Sequence, residues 1–363
     1  MKICHVTSVH KWDDIRIFRK ECIAAAEAGF DVTLVAVNSG EGVHQGVNVV
    51  SVPYTNSGRL KRMLESVNKV CDKALEVNAD VYHLHDPELL RISSRLLAKG
   101  KMVIYDSHED LPRQILDKNW IPSLFRNLIS RLAERYENRK CSKLTAVVAA
   151  TPHIAARFLK VNANVVNVNN YPVLSEISFN PNWTERKNEI VYIGGIFPTR
   201  GVKELVDALQ YADTKLNLAG NYSPASFRDE LIALEGWKKV NEAGFVNRNG
   251  IDELLGRSRV GIVTLHPTKA YLDSLPIKMF EYMAAGIPVV ASDFPYWRSI
   301  INKHKCGVLV DPLNPEAIAG AINDLLSNSE KARLMGERGR AAALSEYSWS
   351  TEADKLISLY KSL

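Results

Sequence analysis

The chain has 363 residues, of which 46% are hydrophobic and 24% charged, with a formal net charge of +5. That length exceeds what one typical core supports, so two domains are expected, and the balance of apolar and charged residues excludes global disorder. No apolar run approaches the roughly 20 residues of a membrane-spanning helix, and the opening Met1-Lys2 with Ile3 to Val6 reads as a strand, not a signal peptide.

In chain order, a strand over Lys2 to Thr7 is followed by a helix around Ile15 to Ala28 and a strand over Val32 to Val37. This is βαβ grammar. Further strands are expected at Val81 to Leu84, Lys101 to Tyr105, Leu144 to Ala149 and Val165 to Val168, with helices near Leu60 to Val77, Leu89 to Ala98 and Leu124 to Asn138. Continuous apolar strands separated by helices predict a parallel sheet covered on both faces. From Tyr171 to Asn188 a polar segment with Pro172 and Pro181 breaks the alternation and reads as an interdomain linker. Strands then resume at Ile190 to Ile193, Leu216 to Leu218, Val240 to Phe245, Val260 to Leu265, Pro288 to Ala291 and Gly307 to Val310. Helices are expected over Asn314 to Leu326 and from Trp349 to Leu363. A second doubly wound domain follows, and such sheets bind ligands at the carboxyl ends of their strands.

Five cysteines, Cys4, Cys22, Cys71, Cys141 and Cys306, are odd in number and lack CxxC spacing. They argue against a disulfide framework or a zinc site and fit a reducing cytoplasm. Residues 1–170 hold 24 basic and 18 acidic residues, the remainder 22 and 23. A basic first half suits nucleic acid, an anionic membrane or lipid diphosphate, or simply a solvated face. The segment Lys118 to Lys143 concentrates seven basic against two acidic residues among Trp120, Leu124, Phe125, Leu128 and Leu132. It reads either as an anionic-lipid docking helix or as a core-packed helix with a basic outer face.

The most specific stretch is Tyr271 to Ser292, YLDSLPIKMFEYMAAGIPVVAS. Pro276 suits the first turn of a helix running to about Ala285, and Gly286 suits its left-handed stop. Asp273, Lys278 and Glu281 can then converge on one small volume, and carboxylates are bidentate acceptors suited to vicinal hydroxyls. In Ile190 to Gly201, IVYIGGIFPTRG, a strand ends in Gly194 and Gly195 and leads towards a helix. That arrangement lets backbone approach a phosphate. Tyr105-Asp-Ser-His-Glu-Asp110 closes a strand and puts His108 where a ligand-facing residue belongs. His83 and His85 have metal-site spacing. Asp14 and Arg16, in Asp14-Ile-Arg-Ile-Phe-Arg-Lys-Glu21, either orient an acceptor or phosphate or cap and pair on the helix that starts there. The loop after the first strand lacks GxGxxG, and no GKS or GKT occurs, so neither a dehydrogenase nor a P-loop enzyme is indicated.

The string Lys278-Met-Phe-Glu-Tyr-Met-Ala-Ala-Gly-Ile-Pro-Val-Val290 resembles the signature of retaining glycosyltransferase family 4. The resemblance runs from the opening loop, similar to a surface-polysaccharide subgroup with Asp-x-Arg-Ile-Phe-x-Lys-Glu, through the His108 strand to the Trp349 helix. It implies a GT-B α/β architecture: two Rossmann-like doubly wound parallel-sheet domains, 1–172 for the acceptor and 173–345 for the nucleotide sugar, facing across a cleft. Residues 346–363 would form a helix crossing back to the first domain. Glu281 matches the family glutamate that grips the nucleotide ribose. Asp273 stands where the family has a glutamate on the transferred sugar, a role shared with backbone amides near Ser274 and Leu275. Gly195 replaces a family arginine and Arg200 matches the second basic position, so Arg200 becomes the principal diphosphate ligand, with Lys278 and Lys203 replacing the missing charge. His108 becomes a contact to the donor sugar.

The resemblance thus implies a metal-independent, retaining transfer from a UDP or GDP sugar, without a bound cofactor and without nucleic acid. The acceptor would be a lipid-linked saccharide of bacterial surface polysaccharide such as O-antigen or capsule, handled in the cytoplasm or on the inner face of the plasma membrane. A sugar-nucleotide 2-epimerase and a catalytically weakened partner subunit are the competing readings.

Overall fold

The computed structural model describes residues 1–37, 40–53, 59–118 and 120–363. They form two compact units, Met1–Asn170 with Trp349–Leu363, and Tyr171–Ser348. The first is built on β1 (Lys2–Val6), β2 (Asp31–Val37), β3 (Gly42–His44), β4 (Val47–Val52), β5 (Val81–Leu84), β6 (Met102–Ser107), β7 (Ala146–Ala149) and β8 (Val165–Asn167). These make one sheet in the order β3-β4-β2-β1-β5-β6-β7-β8, parallel throughout except for the β3–β4 pair. The second holds β9 (Glu189–Ile193), β10 (Lys215–Ala219), β11 (Val240–Gly244), β12 (Val260–Val263), β13 (Val289–Ser292) and β14 (Gly307–Val310). Its order is β11-β10-β9-β12-β13-β14, the 3-2-1-4-5-6 arrangement of a Rossmann sheet. Both sheets are α/β and doubly wound, as their apolar runs predict. In each, the order reverses beside the first strand, between β1 and β5 and between β9 and β12, which is where such sheets place ligands.

Several local features differ from expectation. The β3–β4 hairpin is additional, turning through Gln45 (φ 48°) and Gly46 (φ 81°). The helix expected from Ile15 begins as a π-helical turn, Ile17–Cys22, before the α-helix Ile23–Glu27. Helices Leu111–Asp117, Pro152–Phe158 and Ser329–Glu346 are also additional. The last escapes periodicity because its buried side includes Ala332, Gly336, Gly339 and Ala343. Those small residues permit close approach: a Cβ on Gly336 would lie 2.0 Å from the Gly286 carbonyl oxygen.

The expected linker is not a free connector. Tyr171, Ile177 and Trp183 are buried in the second core. Tyr171 packs edge-on against Phe280 and Tyr347, which explains why the first unit ends at Asn170 and the second continues through Ser348. Arg186 donates to the carbonyls of Leu255 (2.8 Å), Ser258 (3.0 Å), Asn180 (3.3 Å) and Ala285 (2.8 Å). With no carboxylate partner among the described residues, this guanidinium is held by those carbonyls and by the Trp183 ring 5.6 Å away, and burial lowers its pKa to about 10. Its bond to Ala285 anchors the end of the helix Ile277–Ala284.

Helix Trp349–Lys361 belongs to the first unit. Glu352 accepts from the backbone (2.8 Å) and side-chain amide (3.3 Å) of Asn169. Tyr360 meets His83 Nδ1 at 2.6 Å and His5 Nε2 at 3.3 Å.

Candidate functional site

In the second unit, the helix Ile277–Ala284 carries Lys278, Glu281 and Tyr282 on neighbouring turns. Pro276 is the residue just before it, and Gly286 (φ 72°) stops it in the left-handed region. Tyr282 pins the helix over the switch point: its hydroxyl accepts from the Ile193 amide (3.2 Å) and donates to the Ile262 carbonyl (3.3 Å). The adjoining loop leaves β9 through Gly194 (φ 111°) and Gly195 and ends at Gly201 (φ 69°), before the helix Val202–Ala208. A Cβ on Gly201 would stand 1.8 Å from the Thr264 carbonyl oxygen, so only glycine fits.

Two cations flank this loop. A Cβ at Gly194 would be 3.4 Å from Lys278 Nζ and 3.7 Å from an Arg200 terminal nitrogen. Lys278 is 5% exposed, its Nζ lies 3.6 Å from the Tyr192 ring centroid, and that Nζ has no hydrogen-bond partner among the described residues. Burial and the adjacent Arg200 hold its pKa well below the usual lysine value, Glu281 only partly opposing them. The Arg200 guanidinium stacks over Phe197 (5.0 Å), and its buried Nε is likewise unpartnered. Two unsatisfied cationic donors beside a glycine backbone form a site prepared for an anion.

A Cβ at Gly195 would meet the Phe197 ring at 2.3 Å, so an arginine there would require that partly exposed ring to move. Of the two proposed substitutes for its charge, the structure places Lys278 at the loop, whereas Lys203 pairs with Asp207 (3.2 Å) on the half-exposed side of its own helix. Glu281 is buried and ion-paired with Arg248 at 2.5 Å, and Arg248 also meets Glu176 at 3.1 Å. Asp273 is exposed on the preceding loop. Ser274 gives its carbonyl to the Trp297 indole (2.7 Å) and its hydroxyl to the Tyr271 carbonyl (2.9 Å), while Leu275 packs against the core.

In the first unit, His108 follows β6 and is 17% exposed at its side chain. Its Nε2 lies 2.8 Å from Asp106 Oδ2 and 3.1 Å from His85 Nδ1. Asp14 caps the π-helical turn, accepting from the amides of Arg16 (2.8 Å) and Ile17 (3.0 Å), and pairs with His10 at 3.3 Å. Arg16 does not face an acceptor. It is 4% exposed, its guanidinium donating to both Asp106 oxygens (2.9 and 2.8 Å) and to the Val168 carbonyl (3.0 Å), with Glu21 at 3.0 Å. The wide π-turn carries Lys20 and Glu21 into the same interior.

Sequence reasoning missed Arg248, Tyr192 and Asp106. Arg248 comes from the start of a helix 33 residues before Glu281, and no motif links the two. Asp106 did leave a signal, a charged residue inside the apolar strand Met-Val-Ile-Tyr-Asp-Ser.

The glycosyl transferases group 1 family model matches residues 175–342, and the glycosyltransferase family 4 model matches residues 17–168. Spore coat protein SA of Bacillus subtilis is 39% identical over 373 residues, covering 85% of this chain and 96% of its own length. The chain belongs to the glycosyltransferases.

Other curated relatives align over a shorter span: the glycosyltransferase matches MJ1607 of Methanocaldococcus jannaschii, an uncharacterized glycosyltransferase, at 26% identity over 203 residues, 51% of each chain. The chain thus spans about half the length of that relative. Its fold is that of GT-B structures. Sucrose-phosphate synthase from Thermosynechococcus elongatus superposes with a TM-score of 0.81 at 15% identity, covering 100% of this chain and 98% of that one. Anabaena HepE in complex with UDP-glucose gives 0.73 at 17% identity, with 100% of both chains covered.

Proposed function

We propose that this glycosyltransferase transfers a sugar, with retention and without a metal, from a nucleoside-diphosphate sugar to a saccharide hydroxyl. The observation that carries the reading is the unpartnered, buried Lys278 ammonium beside Gly194 and Arg200. Those two cations take the diphosphate and its growing charge, a task that a metal ion performs elsewhere. Glu281, released in part from Arg248, takes the ribose hydroxyls; Asp273 and the Ser274 and Leu275 amides serve the transferred sugar. UDP is the favoured nucleotide because HepE, of the same fold, is solved with UDP and with UDP-glucose.

The acceptor oxygen bonds to the anomeric carbon on the face from which the diphosphate leaves. The carbon–oxygen bond to phosphate breaks as a leaving-group oxygen takes the acceptor proton, and configuration is retained. His108 supplies a hydrogen bond to a sugar hydroxyl. Positioning and electrostatic stabilisation provide the rate.

Thermal-shift binding with UDP, GDP and their glucose and mannose conjugates tests the donor site. A shift selective for one nucleotide is expected in the wild type and should be abolished by Glu281→Ala and by Arg200→Ala. No shift with any nucleotide would refute the reading.

The acceptor is proposed to be a lipid-linked saccharide of bacterial surface polysaccharide, met on the cytoplasmic face of the membrane. The helix Ser123–Cys141 supports it. Leu124, Leu128, Leu132 and Tyr136 repeat every four residues with exposures of 82, 55, 56 and 43%, beside Phe125 (50%) and Ile129 (38%). Trp120 before them is 62% exposed, and Asn119 lies outside the described residues. An apolar stripe flanked by Arg126, Arg131, Arg135 and Arg139 suits the interface of an anionic bilayer. No helix among the described residues is long and apolar enough to cross a membrane. Binding to phosphatidylglycerol vesicles should fall by at least about a hundredfold when Arg131, Arg135 and Arg139 are changed to Glu. Equal binding by both proteins would dismiss the membrane contact.

A further inference from the structure

His108 makes both of its polar contacts through one ring nitrogen, Nε2, to Asp106 and to His85. Which of its nitrogens bears the proton is therefore decided by the state of Asp106. Burial alone would push that carboxyl up, but Arg16, His108 and His85 hold it well below the usual carboxylate range. Arg16 contributes two guanidinium hydrogen bonds, one to each oxygen. An ionised carboxylate only accepts, so the nitrogen 2.8 Å from it must carry a hydrogen.

We infer that Asp106, clamped by Arg16, is a positioning residue that holds His108 as its Nε2–H tautomer and so keeps Nδ1 as a lone pair for a substrate hydroxyl. The inference rests on the proposal that His108 touches a sugar. Its chemical sense lies in the direction of polarity. A nitrogen that accepts the O–H hydrogen bond enriches the sugar oxygen as positive charge grows at the anomeric carbon, whereas an N–H in the same place would withdraw electron density. A carboxylate behind an imidazole is an established way to fix such a tautomer.

The histidines behind the pair support this arrangement. His85 continues to His5, whose Nδ1 is 2.9 Å from His85 Nε2, and His5 and His83 both meet Tyr360. Burial, the leading cause, drives His5 and His83 well below the usual imidazole value and His85 to about 4. His85 Nδ1 lies 3.4 Å from the same Asp106 oxygen, farther than His108 Nε2 at 2.8 Å, and the cationic partner of Asp106 is Arg16. The group His5, Glu21, His83 and His85 also has metal-ligand chemistry. However, two ligands on one tetrahedral zinc ion stand about 3.3 Å apart. The 2.9 Å between His5 and His85 is a hydrogen bond, and Glu21 faces Arg16 at 3.0 Å.

The test is the nitrogen-15 NMR pattern of His108 in histidine-labelled protein, assigned by its loss in His108→Asn. In the wild type at mildly alkaline pH, Nε2 should appear protonated and Nδ1 unprotonated. In Asp106→Asn the carboxamide oxygen stays on the Arg16 terminal nitrogen and Arg16 Nε keeps Glu21 at 3.0 Å, which leaves the amino group at the oxygen position that faces His108, so the proton should move to Nδ1. UDP release from UDP-glucose should then show a fall in kcat of about a hundredfold with KM changed less than about twofold. A wild-type proton on Nδ1, measured without any variant, overturns the inference. So does an unchanged tautomer in a folded Asp106→Asn protein, whatever its melting temperature. If His108→Asn releases UDP as fast as wild type while the tautomers behave as described, the role of His108 in the reaction fails and the clamp alone stands.

Discussion

Replacing Lys278 with Met should raise the melting temperature and lower turnover by about 10²–10³-fold. A buried amine without a hydrogen-bond partner costs the folded state about 1–3 kcal/mol, and methionine fills the same space over Tyr192 without that cost. The pH dependence follows from the direction of its shift. The unfolded chain holds the proton up to the ordinary 10.5, while the folded protein releases it lower, because of burial and then Arg200. Wild-type stability therefore rises with pH between those two values, and the advantage of the Met variant narrows across the same window. A nucleoside diphosphate favours the charged form of Lys278, so UDP should bind more weakly as pH rises through the lowered pKa of Lys278, with proton uptake on binding confined to that range. Calorimetry in buffers of different ionisation enthalpy measures this directly. A destabilised Met variant, or UDP affinity and proton uptake that stay flat as pH rises towards 10.5, would show that Lys278 is an ordinary structural lysine.

Gly201→Ala should destabilise the second unit by about 2–5 kcal/mol. Alanine at φ 69° costs about 1–2 kcal/mol of backbone strain, and relieving a 1.8 Å approach to the Thr264 carbonyl adds overpacking of about 1–3 kcal/mol. The relief must come from the loop, since Thr264 follows the central strand β12. Arg200, the preceding residue, would move with it. Thermal melting with and without UDP separates the two effects: a lower melting point and a lost UDP shift are expected together. A stable variant that still binds UDP would mean the loop adapts without disturbing Arg200.

The fold was legible where burial writes itself into periodicity. Strands such as Ala146–Ala149 and Val260–Val263 are buried on both faces and read as unbroken apolar runs. Legibility failed where packing depends on small size rather than hydrophobicity, as on the Gly336 and Gly339 side of the helix Ser329–Glu346. It failed as well for the segment Tyr171–Asn188, whose prolines and asparagines mask the buried Tyr171, Ile177, Trp183 and Arg186. At the site, the glycine loop and its charges were visible as residue types, but burial is not. The family pattern already pointed to Lys278 and Arg200, but only the folded chain shows the buried Lys278 Nζ and Arg200 Nε without hydrogen-bond partners among the described residues. Arg16 shows the reverse: a charge that suggests a ligand contact in sequence is spent inside the protein on Asp106.

Helix Trp349–Lys361 carries a consequence for the order of synthesis. Residues 1–170 emerge from the ribosome without it, so the Asn169 amide lacks Glu352, and His5 and His83 lack the Tyr360 hydroxyl. The whole of Tyr171–Ser348 must be translated before those partners arrive, a delay of roughly 10–35 s at about 5–20 residues per second. The unit made first is thus the last to be completed, while the contiguous unit behind it can close without waiting.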